Sequence, residues 1–436
     1  MSSTPPSNEA PARQTPLVAF QYHDFRLLWL GQLISGAGTQ MQFVAINYHI
    51  YELTHSPIAL GLIGLFRVVP IILFSLVGGV VVDAVDRRKL LLITQTFMML
   101  TAIVLGALST SGQITPWAIY ALTSLGATAV AFDNPARQSL LPNLVPRQHF
   151  GNAVSLNTIA WQGANIAGPA LAGLVIARLG VGIAYWANGV SFLAVIVALL
   201  LMRIRVAPTE KRDVSLGALR EGLSFVFGQP LLRATMLLDF IATFFGAANQ
   251  LLPIFAKDIL AVGAEGLGIL SSAGAVGAVF MSAGLSFIPR LRRQGPLLLG
   301  SVSLYGVAIA VYGLSRSFWL SFAALALSGA ADILSTVIRQ TVRQLVTPDR
   351  LRGRMVGINM IFFMGGPQLG ELEAGLLAAA VGAPLSVALG GFACVAAVVW
   401  IALSTPRLRE YDAEPEDADL PAPSAQPAPG TASTAD

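Results

Sequence analysis

Charge is what this sequence has least of. Asp, Glu, Lys and Arg make up 11% of its 436 residues, against 55% that are hydrophobic. A water-soluble globular chain carries nearer a quarter charged residues, so the composition excludes that class and marks an integral membrane protein. Lysine is almost missing: Lys89, Lys211 and Lys257 do not follow the glycine-rich phosphate loop that an ATP-driven pump needs. Cysteine is rarer still. Cys394 stands alone in an apolar run, which excludes an internal disulfide and leaves the redox compartment open. The four histidines show no metal-ligand spacing, and His23 is adjacent to Asp24, where neither side chain readily orients the other for catalysis. Enzyme, metal and cofactor are therefore not expected. The first residues also lack the charged, apolar, then small-residue pattern of a cleaved signal, so the first span itself is expected to direct insertion.

What is present is a series of long apolar runs. At about 20 residues per crossing, twelve spans fit, near 27–50, 58–82, 90–110, 115–136, 152–177, 181–202, 231–256, 266–288, 296–315, 317–338, 355–380 and 383–404. Residues 1–24 and the acidic stretch 405–436 read as disordered tails, rich in Ser, Thr, Pro, Ala, Asp and Glu. Loops on one side hold only Arg178, Lys257 and Arg316, whereas those on the other hold Arg87, Arg88, Lys89, Arg147, Arg203, Lys211, Arg292, Arg350 and more. That asymmetry places both termini in the cytoplasm. These cations read as topology signals, and nucleic acid is not expected as a partner. The segment 204–230 separates bundles at 25–203 and 231–404. Within it, Leu216, Leu219, Leu223 and Phe227 fall at helical spacing, as on an amphipathic helix at the membrane surface; a solvated linker is the alternative.

The chain also repeats itself. "RQSLLPNLVPRQHFGNAVSLN" from Arg137 aligns without gaps on "RQTVRQLVTPDRLRGRMVGIN" from Arg339, matching Arg, Gln, Pro, Gly, Val and Asn. Farther on, Gly163, Gly168 and Gly173 meet Gly365, Gly370 and Gly375. Apolar composition alone would not align arginines and prolines. Two halves that start on the same side are related by an axis along the membrane normal, the arrangement of bundles that rock around a midplane cavity.

"GGVVVDAVDRRK" resembles the loop signature between the second and third helices of the major facilitator superfamily, with Gly79, Asp83, Arg87 and Arg88 matching and Ala84 and Asp86 departing from it. "FRLLWLGQLIS", "YELTHSPIALGL", "FDNPARQSLLPNLVP" and "NAVSLNTIAWQGANIAGPALAGL" resemble the bacterial branch that contains enterobactin exporters and related efflux carriers. The resemblance covers nearly everything from Phe25 to Leu403. It implies an all-α integral membrane fold of twelve helices in two pseudo-symmetric six-helix bundles, located in the bacterial inner membrane. Gly163, Gly168, Pro169 and Gly173 are similar to the fifth-helix motif of proton-coupled antiporters, which implies export. The fourth span lacks the mid-helix arginine of many drug antiporters.

Arg67 lies about nine residues into its span, roughly 13 Å deep. A cation there costs about 2.5–3.5 kcal/mol on insertion scales, so it should face the interior and find an acceptor. It either lines the cavity or locks two helices together. Asp239, Glu371 and Glu373 are the embedded carboxylates, candidates for proton or substrate binding. Glu371 and Glu373 are about 200° apart on a helix, so both cannot face one cavity. Asp83, Arg87, Asp133, Arg137, Asp332 and Arg339 are expected at or near cytoplasmic helix ends, where paired charges would latch the bundles in the outward-facing state. Asn47, Gln40, Asn165, Asn249 and Gln250, with Tyr48, Trp161 and Phe245, are further candidates for substrate contact or for plain helix joining. The expected function is secondary active export of a small amphiphile, a siderophore or a drug-like molecule, by a monomer using protons. An importer of the same fold and a non-transporting receptor or scaffold are the alternatives.

Overall fold

The computed structural model describes residues 17–203, 224–288 and 291–412. Of the tails read at 1–24 and 405–436, residues 1–16 and 413–436 lie outside the described residues, as does 204–223 of the linker read at 204–230. The described parts of the tails are ordered, with a 3-10 turn at Val18–Gln21, the start of the first long helix at His23 and a short helix at Pro406–Arg409 that buries Leu408. Twelve long helices are described: α1 (His23–Thr54), α2 (Pro57–Ala84), α3 (Arg87–Thr110), α4 (Pro116–Leu140), α5 (Phe150–Leu179), α6 (Val181–Leu201), α7 (Pro230–Phe245), α8 (Gly263–Ser286), α9 (Gln294–Leu314), α10 (Phe318–Val346), α11 (Asp349–Val381) and α12 (Ala383–Ser404). Among the described residues, nine candidate spans are long and apolar enough to cross a bilayer by length and composition.

Local chemistry sets the helix ends. Ser56 and Thr115 accept hydrogen bonds from the amides of Ala59 and Ala118, each directly before a proline that opens α2 or α4. Asp86 caps α3 by accepting from the amides of Arg88 and Lys89 at 2.9 and 3.3 Å. Gly180 and Gly382 join α5 to α6 and α11 to α12 at φ of 87° and 86°, a left-handed turn that glycine takes without a steric penalty. They stand at the same place in the repeat.

Packing repeats as well. In the first half α1 packs on α5 and α6, α3 on α4 and α6, and α2 on α4. In the second, α7 packs on α11 and α12, α9 on α10 and α12, and α8 on α10. The halves meet where α2 crosses α11 and α5 crosses α8. A methyl group added to Gly375 would stand 2.8 Å from the Cα of Gly61, and one on Gly268 would stand 2.7 Å from the Cα of Gly173. Only glycine lets backbones approach this closely. The two crossings are equivalent by the repeat, because Gly173 and Gly375 are its matched positions.

One end of the molecule has a core shared by both halves, with Ile50, Tyr51, Leu60 and Ile63 against Leu251, Phe255, Leu267 and Tyr312. The end that carries the termini has two separate cores. Phe25, Leu91, Leu140 and Leu199 make one, and Leu238, Leu298, Ile338 and Ile401 the other. Large apolar side chains such as Phe280 and Trp319 stay exposed on the outer wall, as lipid contact requires.

The seventh span differs from the continuous helix expected over 231–256. After Phe245 the chain passes through a 3-10 turn (Ala248–Leu251), a short turn (Leu252–Ile254) and a π-helical stretch (Phe255–Ile259). Gly246 caps α7, and Pro253 has no amide to donate. Such backbone is tolerated at membrane depth where protein covers it, and Leu251 through Ala256 are buried. Of the expected surface helix, residues 224–228 are described and helical; Val226 is buried against Met236 and Met355, while Phe227 is half exposed.

Candidate functional site

Three polar groups surround the space between the halves. The first spans the shared end. Arg67, the eleventh residue of α2, places Nη1 3.7 Å from Oε1 of Glu371 on α11, and its guanidinium lies 4.8 Å from the ring centroid of Phe43. The ion pair therefore crosses from one half to the other. It sits beside the glycine crossing, with Glu371 pressed against Gly64. Gln250 donates from Nε2 to Oδ1 of Asn47 at 3.2 Å and to the Leu60 carbonyl at 2.5 Å, again between halves. Tyr51 donates to Asp258, and Arg178 reaches Glu265 at 3.8 Å. Lys257 lies 6.0 Å above the Tyr48 ring. Glu373 is partly buried and Asn249 exposed.

The second group lies inside the first half. Asp133 is buried and accepts from Thr94 at 2.9 Å, Gln95 at 2.7 Å and Arg137 at 2.7 Å. Gln40 donates to Asn165, joining α1 to α5. On α5, a methyl on Gly163 would meet Leu33 at an ordinary 3.6 Å, whereas one on Gly168 would stand 2.6 Å from Cβ of Gln40. The Pro169 carbonyl lies against Gly268. Trp161 is 60% exposed, and Phe245 partly so.

The third group lies inside the second half. Asp239 on α7 is bracketed by two arginines of α10: Arg339 Nη2 lies 3.0 Å from one carboxylate oxygen and Arg343 Nη2 3.0 Å from the other. All three are buried. Asp332 is 3.5 Å from the same Nη2 of Arg339.

The expected cytoplasmic charges are thus distributed by half. Asp133 pairs with Arg137 on its own helix, and Arg339 pairs with Asp239 and Asp332 in the second bundle. Asp332 stands at the midpoint of α10, not near its end. Arg88 donates to the Leu200 carbonyl at 3.0 Å, and Arg87 is buried. Gly79 and Asp83 fall within α2, and their side chains lie outside the described residues. Arg343, Tyr51, Asp258 and Gly61 were not singled out from sequence. Arg343 had a readable signal: it follows Arg339 by four residues and so shares its helix face.

Two equivalent six-helix bundles, helical throughout their described spans and meeting at one end through ion pairs between the halves, define a membrane transporter of the major facilitator fold. A model of the family described as transmembrane secretion effector matches residues 14–428, and the chain belongs to that family. It is 27% identical over 399 residues to the multidrug efflux pump Tap of Mycolicibacterium fortuitum, covering 88% of this chain and 96% of that one. It is 26% identical over 398 residues to the enterobactin exporter EntS of Shigella boydii, covering 90% and 94%. Among solved structures, it superposes on a bacterial homologue of the human lysosomal transporter Spinster, in an inward-facing and unoccupied conformation, with TM-score 0.67, 15% identity and coverage of 89% and 96%. It also superposes on the nucleoside transporter NupG, as a D323A mutant, with TM-score 0.70, 10% identity and coverage of 87% and 99%. The protein is a transporter and not an enzyme.

Proposed function

We propose that the protein exports a small amphiphilic molecule, siderophore-like or drug-like, across the bacterial inner membrane by proton-coupled alternating access. The observation that carries this reading is the contrast between the ends. The halves share one core and the ion pairs Arg67–Glu371 and Arg178–Glu265 at one end, and keep separate cores at the other. With both termini in the cytoplasm, as the arginine asymmetry favours, this is the inward-open member of a rocking cycle. Efflux by Tap and enterobactin export by EntS support the outward direction.

In this reading Arg67 and Glu371 close the outer end, and Asp239, Glu371 and Glu373 are the carboxylates available for protons. The pairs Asp133–Arg137 and Asp239–Arg339, with Asp83, Arg87 and Arg88, regroup across the inner end in the opposite state. Gly163, Gly168, Pro169 and Gly173 form the surface on which α5 moves against α1 and α8. Asn47, Gln250, Asn165 and Asn249 contribute hydrogen bonds to the path. A monomer suffices because one chain holds both bundles. Accumulation of labelled siderophores and drugs, in cells with and without the protein and with and without a proton gradient, tests it. The expected result is lower accumulation that depends on both; equal accumulation of every compound overturns the reading.

A further inference from the structure

Two helices on the outer wall of the second half end at one cluster of arginines. α9 packs along α12, and each carries a stripe of exposed apolar side chains, with Leu304, Val307 and Val311 on α9 and Phe392, Val399 and Leu403 on α12. Spacings of three, four and seven residues keep each stripe on a single helix face. Arg292 and Arg293 directly precede α9, while Arg407 and Arg409 follow α12 on the short helix Pro406–Arg409. All four are exposed.

Backbone contacts bring the two pairs of arginines together. The amide of Gly295 donates to the Tyr411 carbonyl at 2.9 Å, and a methyl added to Gly295 would overlap the Leu408 carbonyl oxygen, an approach that only glycine permits. Leu408 is fully buried in the core of this half. That anchor fixes Arg407 and Arg409, its neighbours on either side, next to the start of α9. Arg293 holds φ at 52°, a left-handed conformation uncommon outside glycine. Among the described residues none of the four arginines takes part in an ion pair. Glu410 and Asp412 are the exposed carboxylates that follow them in the chain, so positive charge predominates. At the matching corner of the first half the polar groups are already used: Arg88 donates to the Leu200 carbonyl at 3.0 Å, and the Arg203 amide donates to Asp24 at 3.1 Å.

We propose that this corner binds an anionic phospholipid, its phosphodiester on the arginines and its acyl chains along the stripes of α9 and α12. The apolar stripes run directly into the charged cluster, so the complementary occupant has an anionic head joined to an apolar tail. A bilayer supplies such a molecule at the right level, because the ends of spanning helices lie among the headgroups. Guanidinium groups offer phosphate oxygens paired donors in a planar fork. Trp400, 59% exposed and one turn before the end of α12, has the amphipathic indole that favours the same boundary. The site is on the outer wall, apart from the space between the halves, and does not depend on what the protein exports.

Tryptophan fluorescence of the purified full-length protein in detergent, titrated with dibrominated phosphatidylglycerol or dibrominated phosphatidylcholine, tests the proposal. The anionic lipid is expected to quench at about tenfold lower concentration than the zwitterionic one. Trp400→Phe should remove that high-affinity component, which places it at this corner without touching an arginine. Arg407→Gln combined with Arg409→Gln should bring the two lipids together, whereas Arg88→Gln combined with Lys89→Gln in the first half should leave them apart. Equal quenching by both lipids, or a selective component that survives Trp400→Phe, overturns the proposal. So does displacement of phosphatidylglycerol by millimolar inorganic phosphate, which would make the corner a plain anion site. Selectivity that appears only after Glu414, Glu416, Asp417 and Asp419 are changed to their amides overturns it as well, since the acidic C-terminal segment would then be the occupant. The Trp400→Phe comparison decides the matter even if the arginine variant does not fold.

Discussion

The two ends of the molecule pair their polar groups in opposite ways. At the shared end the pairs run between the halves: Arg67 with Glu371, Arg178 with Glu265, Tyr51 with Asp258. At the end bearing the termini each half is satisfied within itself, through Asp133 with Thr94, Gln95 and Arg137, and through Asp239 with Arg339 and Arg343. A bond between halves must break when they rock apart, whereas a bond within a half can persist through the cycle. In the cycle proposed above, the shared end opens by breaking its bonds between halves, and the groups held within each half are the ones free to re-pair across the other end.

The largest effect is expected from breaking a group within a half. Asp239→Ala leaves Arg339 and Arg343 buried without their carboxylate, and removing one partner of such a group costs about 3–5 kcal/mol. Thermal unfolding in detergent should show a sharply less stable second half. Next comes the crossing itself. Gly375→Leu drives a side chain into the backbone of Pro57 and Gly61, at a cost of about 1–3 kcal/mol for an overfilled contact. The strain falls only on the state in which α2 and α11 touch. Spin labels on α2 and α11 at the shared end should then report longer distances, and transport should fail while the protein still reaches the membrane. Arg67→Ala should likewise preserve the membrane level and lose transport, because it removes the cation that holds Glu371 across the two halves, while the loss of a cation costing about 2.5–3.5 kcal/mol to insert offsets part of the cost of the unpaired carboxylate. Loss of folded protein in that variant would make Arg67 a helix lock and place it with the persistent groups instead.

Much of this was legible before any coordinates. The apolar runs gave the twelve spans, and the offset linking Arg137 to Arg339 also links Gly173 to Gly375 and Gly180 to Gly382, so the repeat carried the paired crossings and paired turns. Arg67 was conspicuous because a lone cation in an apolar run needs an acceptor. Its acceptor was not legible, since nothing in the spacing of α2 says which of several carboxylates on other helices lies beside it. The same limit hid the bracket around Asp239. Arg343 reads as one more topology cation until α7 and α10 are brought together. Asp332 was misplaced for a related reason: grouping it with Arg339 by proximity in sequence put it at a helix end, while α10 continues to Val346 and leaves it at the centre. The break after Phe245 depended on Gly246 and Pro253 in a run whose composition is otherwise that of a continuous helix.

The smallest expected effect sharpens the comparison most, because it changes one bond at the shared end and nothing else. Tyr51→Phe keeps the ring, which is buried in the shared core, and removes only the hydroxyl that donates to Asp258. A hydrogen bond to a charged group contributes about 1.5–3 kcal/mol, and less where the acceptor can turn to water. Asp258 is exposed, so it can be rehydrated when the hydroxyl is gone, and the loss should fall near or below about 1.5 kcal/mol. Folding should be nearly unchanged, because the bond joins two bodies that are each stable without it. The balance between the closed and open states of this end should shift by up to about tenfold, the factor that about 1.4 kcal/mol represents. The interspin distance across α1 and the Phe255–Ile259 segment would read that shift as a second population. A single unchanged distance, with unchanged transport, would mean that the bond is made and broken without bias and that the switch resides in the Arg67–Glu371 pair and the glycine crossings alone.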